Sequence, residues 1–146
     1  MKQEVVKVIK AEGVVLPKYE TSGSAGMDVR AHISKEIELQ PLDRVLIPTG
    51  LKFGIPDGYE VQVRPRSGLA KKHGITVLNT PGTLDSDYVG EIGVILVNLS
   101  RESYTVQPGE RIAQLILTPV VQAVFQEVDV LDETERGEGG FGHTGK

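Results

Sequence analysis

The chain has 146 residues, of which 39% are hydrophobic and 25% are charged, so we expect one domain with a buried core. It contains no cysteine, which excludes a disulfide framework, a thiol nucleophile and a thiolate metal site. The formal net charge of −4 argues against a general nucleic-acid-binding protein, because such proteins normally carry a basic face.

The N-terminal segment MKQEVVKVIK is too charged for a secretory signal peptide, and no apolar run approaches the length of a membrane span. We therefore predict a cytoplasmic protein with no membrane partner. An anionic ligand remains compatible with the acidic average charge, provided that local cations hold it.

Short apolar segments separated by turn residues predict an all-β protein. Tyr59–Val63 alternates apolar and polar residues like a half-buried strand, and Val94–Val97 is a continuous apolar run typical of a strand buried on both faces. Many short strands at fairly regular spacing indicate a sandwich, jelly roll or barrel. Further strands are predicted at Val5–Ile9, Glu36–Leu39, Val45–Phe53, Ile112–Leu117 and Val120–Phe125.

The segment Ala25–Ala31, AGMDVRA, sets one carboxylate between apolar neighbours. Asp28 fits a site for hydrated Mg²⁺, which keeps several waters and takes only one or two protein carboxylates. It fits equally well as a turn residue that bonds its own backbone. The segment alone leaves both interpretations open.

One short helix is predicted, beginning at a capping Ser67, with basic residues in its last turn and ending at Gly74. The residues Arg64–Gly68, RPRSG, open this helix. Its unpaired N–H groups and the two arginines favour a phosphate or carboxylate ligand. The alternative is a capped helix with two solvated arginines.

The stretch Gly82–Asn98, GTLDSDYVGEIGVILVN, is a polar turn that runs into an apolar strand. Asp85, Asp87 and Tyr88 are bracketed by glycines, which allow the backbone to approach a ligand closely. The strand gives the turn a rigid base, and rigid elements position functional groups best. The alternative is an ordinary acidic turn.

Two further segments carry candidate groups. Gly109–Leu115 puts Arg111 and Gln114 at the start of a strand. The glycine-rich tail Arg136–Lys146 contains Phe141, which could stack on a base, and backbone N–H groups that could wrap a ligand. The alternative for the tail is a disordered end. We predict a β domain over residues 1–131 and a flexible C-terminal arm over residues 132–146.

Several common catalytic arrangements are not apparent in the sequence. The three histidines show no metal-ligand spacing, and no GxSxG elbow is present. No Walker A or GxGxxG segment opens a helix after a strand. Any phosphate binding therefore uses another arrangement of residues.

Together and in chain order, five segments resemble the five motifs of the trimeric deoxyuridine triphosphate nucleotidohydrolases (dUTPases). The resemblance extends from residue 25 to the end of the chain. His143 stands where many members carry a small hydroxyl residue, so its role stays open. The segments are AGMDVRA (25–31), RPRSGLA (64–70), LNTPGTLDSDYVGEIGVILVN (78–98), GERIAQLIL (109–117) and RGEGGFGHTG (136–145).

The resemblance implies a distorted jelly-roll β-barrel and a homotrimer whose active sites are each assembled from all three chains. It implies hydrolysis of dUTP to dUMP and pyrophosphate by water attack on the α-phosphorus, with Mg²⁺ bound to the triphosphate. This reaction limits uracil incorporation into DNA and supplies dUMP for thymidylate synthesis. The C-terminal arm would close over the site of a neighbouring subunit.

The resemblance also implies residue roles. Asp85 matches the general base that orients and deprotonates the attacking water. Asp28 would hold Mg²⁺ through its water shell, Tyr88 would pack on the deoxyribose, and Phe141 would stack over uracil. Asp87 is expected to shape the turn or pair with a cation. The implied substrate-binding residues are Arg66, Ser67, Gly68, Asn79, Gly82, Thr83, Leu84, Tyr88, Gln114, Arg136, Phe141, Gly142 and Thr144.

Two alternatives remain. A dCTP deaminase shares this fold and ligand class but attacks C4 of the base; its motif around the catalytic glutamate is not apparent here, and ammonia release from dCTP would identify it. A non-enzymatic nucleotide-binding regulator on the same fold could drop Asp85 or the arm, and both are present in this chain.

Overall fold

The computed structural model describes residues 1–145, which form ten strands and one short helix. The elements are β1 (Lys7–Lys10), β2 (Met27–Arg30), β3 (Ile37–Leu39), β4 (Arg44–Gly54), β5 (Tyr59–Arg64), α1 (Ser67–His73), β6 (Ile75–Val77), β7 (Gly82–Leu84), β8 (Glu91–Asn98), β9 (Tyr104–Val106) and β10 (Arg111–Pro119). None of the helical residues in this range forms a span long and apolar enough to cross a membrane.

The strands pair antiparallel in three sheets. Two sheets have four strands, in the orders β1-β4-β8-β6 and β2-β10-β5-β7, and the third pairs β3 with β9. The prediction of an all-β fold with one short helix is confirmed. Over residues 1–145 the sheets stay separate and no closed barrel forms.

Both four-stranded sheets contribute to one hydrophobic core. Ile47 and Val94 come from the first sheet, Val61 and Leu115 from the second, and all four side chains are buried. Burial of a side chain of this size contributes about 1.5–3 kcal/mol. The second sheet, which carries most of the candidate site, therefore rests on a packed base.

Two details of the predicted elements are wrong. Val120–Phe125 is not a strand: β10 ends at Pro119, and the side chains of Val124 and Phe125 are each 96% exposed. Strand-forming residues need a neighbouring strand and a packed face, and this segment has neither within residues 1–145.

Ser67 does not cap α1, because the N-cap is Arg66, which has an extended backbone and makes no side-chain cap bond. The predicted glycine end is confirmed, since Gly74 adopts a left-handed φ of 64°.

Candidate active site

Four of the five motif-like segments lie on or beside the second sheet. AGMDVRA contains β2, GERIAQLIL forms most of β10, RPRSGLA continues from β5 into α1, and GTL is β7. The register places Gln114 of β10 opposite Asp28 of β2 on one side and opposite Arg64 of β5 on the other. The fold thus brings together segments that are far apart in sequence.

Three charged residues form the arginine cluster, which we define as Asp28, Arg66 and Arg111. The Arg66 Nε atom lies 3.2 Å from Asp28 Oδ2, and Arg111 Nη1 lies 3.1 Å from the same oxygen. Arg66 Nη1 also donates to the Arg111 carbonyl at 3.3 Å. Two guanidinium groups around one carboxylate leave an excess positive charge. This cluster therefore suits an anion such as a phosphate.

Gln114 is held between β2 and the segment that enters α1. Its Nε2 donates to the Pro65 carbonyl at 3.0 Å. Its Oε1 lies so close to Gly26 that a Cβ placed on that glycine would come within 2.5 Å. The amide is consequently fixed beside the arginine cluster, as expected for a group that orients a ligand.

The start of α1 is open to solvent. Ser67 and Gly68 are exposed, and a Cβ placed on Gly68 would meet no atom within 4 Å. The first turn of the helix contains no acidic residue, so no carboxylate in that turn offsets the partial positive charge at the helix N-terminus. The structure therefore brings both predicted residues next to Arg66 with room for a ligand.

The strand β7 is at the edge of the second sheet. Gly82 pairs with Val63 and Thr83 with Gln62, while the opposite edge of β7 has no strand partner within residues 1–145. Backbone donors and acceptors on such an edge can bind a ligand as another strand would. Leu84 is half-buried, and a Cβ placed on Gly82 would lie 3.4 Å from Asn79 Nδ2. The implied substrate-binding residues Asn79 and Gly82 are thus adjacent.

Asp85 follows β7 in an exposed turn that is closed by a bond from the Tyr88 N–H to the Asp85 carbonyl at 3.1 Å. The Tyr88 hydroxyl donates to the Glu91 carbonyl at 2.7 Å. Its ring lies against Gly90, where an added Cβ would come 2.5 Å from the hydroxyl oxygen. Asp87 is exposed and makes no side-chain hydrogen bond or ion pair with residues 1–145.

The arm makes only local hydrogen bonds over its described residues 132–145. Arg136 Nε donates to the Gly139 carbonyl at 2.6 Å, and the His143 N–H donates to the Gly140 carbonyl at 3.1 Å. Phe141 is fully exposed, and Gly142 and Thr144 are exposed as well. The structure does not bring these predicted residues to the sheet.

The candidate groups therefore occupy three places: the arginine cluster with α1 and Gln114, the hairpin with Asp85 and Tyr88, and the arm. Within residues 1–145, no hydrogen bond or ion pair joins any two of these places. The same range holds no group of three or more His, Asp or Glu residues able to bind a metal ion.

Two cavities of the described chain lie elsewhere. One, of about 200 Å³, is lined by Lys72, His73 and Ser100–Tyr104. The other, of about 380 Å³, is lined by residues that include Val14, His32 and Leu51. Neither is lined by a predicted site residue, as expected if the site is an open surface on a single chain.

Sequence interpretation named Arg111 in a candidate segment but did not include it among the implied substrate-binding residues. Its position at the start of a strand gave no reason to choose it, and its partner Asp28 is 83 residues away. The only available signal was its place inside the segment GERIAQLIL, two residues after Gly109 and three before Gln114.

The sequence is similar to known proteins over most of its length. The dUTPase family model matches residues 12–145. A deoxyuridine 5'-triphosphate nucleotidohydrolase from Fusobacterium nucleatum is 68% identical over 146 residues, covering 100% of both chains. One from Finegoldia magna is 58% identical over 140 residues, covering 96% of this chain and 98% of the relative.

Solved structures share the fold. A Staphylococcus bacteriophage 80alpha dUTPase with dUPNHPP aligns with a TM-score of 0.88 at 24% identity, covering 99% of this chain and 100% of the phage chain. A mutant dUTPase from phage phi11 of S. aureus, described for its coordination of a structural Mg(II) ion, aligns with a TM-score of 0.78 at 20% identity, covering 89% of this chain and 100% of the other. The jelly-roll-like fold predicted from the sequence is confirmed, and the chain belongs to the dUTPase family.

Proposed function

We propose that this protein hydrolyses dUTP to dUMP and pyrophosphate by water attack on the α-phosphorus, and so limits uracil incorporation into DNA while supplying dUMP for thymidylate synthesis. The observation that carries the proposal is the arrangement of the second sheet, where an arginine cluster suited to phosphate and the hairpin of Asp85 share one rigid base. The names of the two bacterial relatives support the same substrate.

The triphosphate would bind at the start of α1. Arg66 and the N–H groups of Ser67 and Gly68 supply donors there, and the Gln114 amide is fixed beside them. Arg111, already part of the arginine cluster, adds a second guanidinium. Phosphoryl transfer needs mainly positioning and neutralisation of charge, which these groups provide without forming a covalent bond to the substrate.

Asp85 would act as the general base. Its carboxylate is exposed at the end of β7, where a water molecule can reach it. It takes a proton from that water as the oxygen forms a bond to the α-phosphorus, and the bridging P–O bond to the β-phosphate breaks. The electron pair leaves with pyrophosphate. A positioned carboxylate typically contributes about 10²–10⁴-fold to such a step.

Base and sugar selectivity would come from the hairpin. The free edge of β7 (Gly82, Thr83, Leu84) and the Asn79 amide can read the donor and acceptor pattern of uracil, and a mismatched exocyclic amine would leave buried polar groups unpaired. Tyr88 would pack on the deoxyribose, and its bond to the Glu91 carbonyl would keep the ring from moving aside for a 2′-hydroxyl.

Mg²⁺ is the proposed cofactor, and Asp28 fits a water-mediated role. The ion-pair distances to both arginines are to Oδ2, and Oδ1 takes part in no hydrogen bond within residues 1–145. One carboxylate oxygen is therefore available to a water of hydrated Mg²⁺, which takes most of its other ligands from phosphates and water. When bound, the ion would neutralise charge on the phosphate oxygens.

We propose a homotrimer with shared active sites. The separation of the candidate groups into three places within one chain supports this, as do the exposed apolar side chains of Val121, Val124 and Phe125, which a neighbouring copy would cover. The arm of residues 132–146 would bring Arg136, Phe141, Gly142 and Thr144 to a neighbour's site. Cytoplasmic location and the absence of a nucleic-acid partner remain predictions.

The test is pyrophosphate release from dUTP, dCTP, dTTP and UTP with Mg²⁺, with ammonia measured in parallel. We expect pyrophosphate from dUTP alone and no ammonia. Ammonia from dCTP would make the protein a deaminase. Binding of dUTP without turnover, in a protein confirmed to be folded, would make it a nucleotide-binding regulator.

A further inference from the structure

Tyr104 contacts two elements that lead into the proposed phosphate site. It is the half-buried first residue of β9, and its hydroxyl donates to Glu110 Oε1. Its ring packs against His73, the last residue of α1, with ring centroids 5.0 Å apart and planes at 49°. One side chain thus joins the end of the helix to the turn that precedes β10.

Glu110 fixes that turn. Its second carboxylate oxygen accepts the Gln107 N–H at 2.9 Å, and its backbone carbonyl accepts the Ala31 N–H at 2.8 Å. Arg111, the next residue, belongs to the arginine cluster. A shift of Glu110 would therefore move the backbone of Arg111, and its guanidinium group would move with it.

The Tyr104 hydroxyl remains a donor over the working pH range. Burial raises the pKa of Tyr104, and its hydrogen bond to Glu110 raises it further. The neutral phenol and the ionised carboxylate form a charge-assisted hydrogen bond, which is stronger than a bond between two neutral groups.

We propose that Tyr104 and Glu110 are positioning residues that set the distance between the start of α1, where Arg66 lies, and Arg111 at the start of β10. The helix has seven residues and is about 10 Å long, so a displacement at His73 reaches Ser67 and Gly68 with little loss. This proposal rests on the proposed function. Tyr104 and Glu110 act through the groups proposed to hold the triphosphate, of which dUMP retains only the α-phosphate.

Tyr104→Phe tests the proposal, because it removes the hydroxyl and keeps the ring on His73. We expect dUPNHPP to bind about tenfold more weakly, the equivalent of one charge-assisted hydrogen bond, and dUMP to bind within about twofold of the wild type. The KM for dUTP should rise more than kcat falls. Tyr59→Phe is the matched control, since that hydroxyl contacts Lys2 and Glu4, away from the cluster.

If Tyr104→Phe does not fold, a second pair of variants allows the same comparison of dUPNHPP binding with dUMP binding. Glu110→Gln keeps an acceptor for the hydroxyl and should retain most of the dUPNHPP affinity, whereas Glu110→Ala should lose it. Equal weakening of dUPNHPP and dUMP would indicate a general structural role, and unchanged dUPNHPP affinity would also overturn the proposal. A wild type that binds dUPNHPP but does not hydrolyse dUTP would refute the proposed function and leave the positioning role standing.

Discussion

The contact between Gly90 and Tyr88 allows the proposed role of Tyr88 in sugar selectivity to be tested without altering the tyrosine itself. A Cβ on Gly90 would lie 2.5 Å from the Tyr88 hydroxyl oxygen, 2.6 Å from Cζ and 2.9 Å from Cε2. Ordinary contact distances between such atoms are about 3.5–4.0 Å, so Gly90→Ala should push the ring away by about 1 Å.

That displacement also breaks the bond from the Tyr88 hydroxyl to the Glu91 carbonyl, which is 2.7 Å long. A hydrogen bond of this kind contributes about 1 kcal/mol, or about fivefold in an equilibrium. A freed ring can move aside for a 2′-hydroxyl. We therefore expect the ratio of kcat/KM for dUTP to kcat/KM for UTP to fall by at least about fivefold.

The assay is pyrophosphate release from each nucleotide over a range of concentrations. Gly23→Ala is the matched control, because a Cβ there meets no atom within 4 Å and the residue has no positive φ. Tyr88→Ala should accept UTP at least as readily as Gly90→Ala. An unchanged dUTP/UTP ratio in a folded Gly90→Ala protein would refute the reasoning and point to another filter for the sugar.

Four further predictions follow from the proposed site and the core. Asp85→Asn should keep dUPNHPP binding, measured by calorimetry, while turnover falls by about 10²–10⁴-fold; retained turnover would remove Asp85 from its role. Truncation before Arg136 should leave the melting temperature and oligomeric state unchanged yet remove most activity, and full activity would contradict a closing arm. Gly26→Ala should displace the Gln114 amide, since its Cβ would come within 2.5 Å of Oε1, and should raise KM for dUTP. Leu96→Ala, in the centre of the core, should lower the free energy of unfolding by about 2–5 kcal/mol in denaturant titration.

The sequence predicts the elements whose signal is local. The alternation in Tyr59–Val63 and the apolar run in Val94–Val97 correspond to β5 and β8, because burial on one face or both imposes those patterns directly. The end of α1 at Gly74 was predicted for a similar reason, since a left-handed residue there favours glycine.

Elements and contacts that depend on distant partners could not be predicted. β2, β6, β7 and β9 were not predicted; each has only three or four residues, and its pairing partner defines it. Val120–Phe125 was wrongly predicted as a strand, because strand-forming residues need an adjacent strand and this segment has none within residues 1–145. The link between Tyr104 and Glu110 had no signal: Glu110 lies in the segment GERIAQLIL, but nothing in the sequence pairs it with Tyr104.

The separation of the candidate groups suits the order of events in the proposed reaction. Arg66 and Gln114 are already fixed by contacts with Asp28 and Pro65, so the phosphate site costs little reorganisation when the triphosphate binds. Arg136 lies on an arm that makes no hydrogen bond to the sheets within residues 1–145, so its charge can arrive after the substrate. An arginine held permanently beside Arg66 and Arg111 would add repulsion to the free enzyme, whereas one delivered by the arm meets those arginines only when phosphate charge lies between them. Activity should therefore depend on the arm much more strongly than the stability of the fold does.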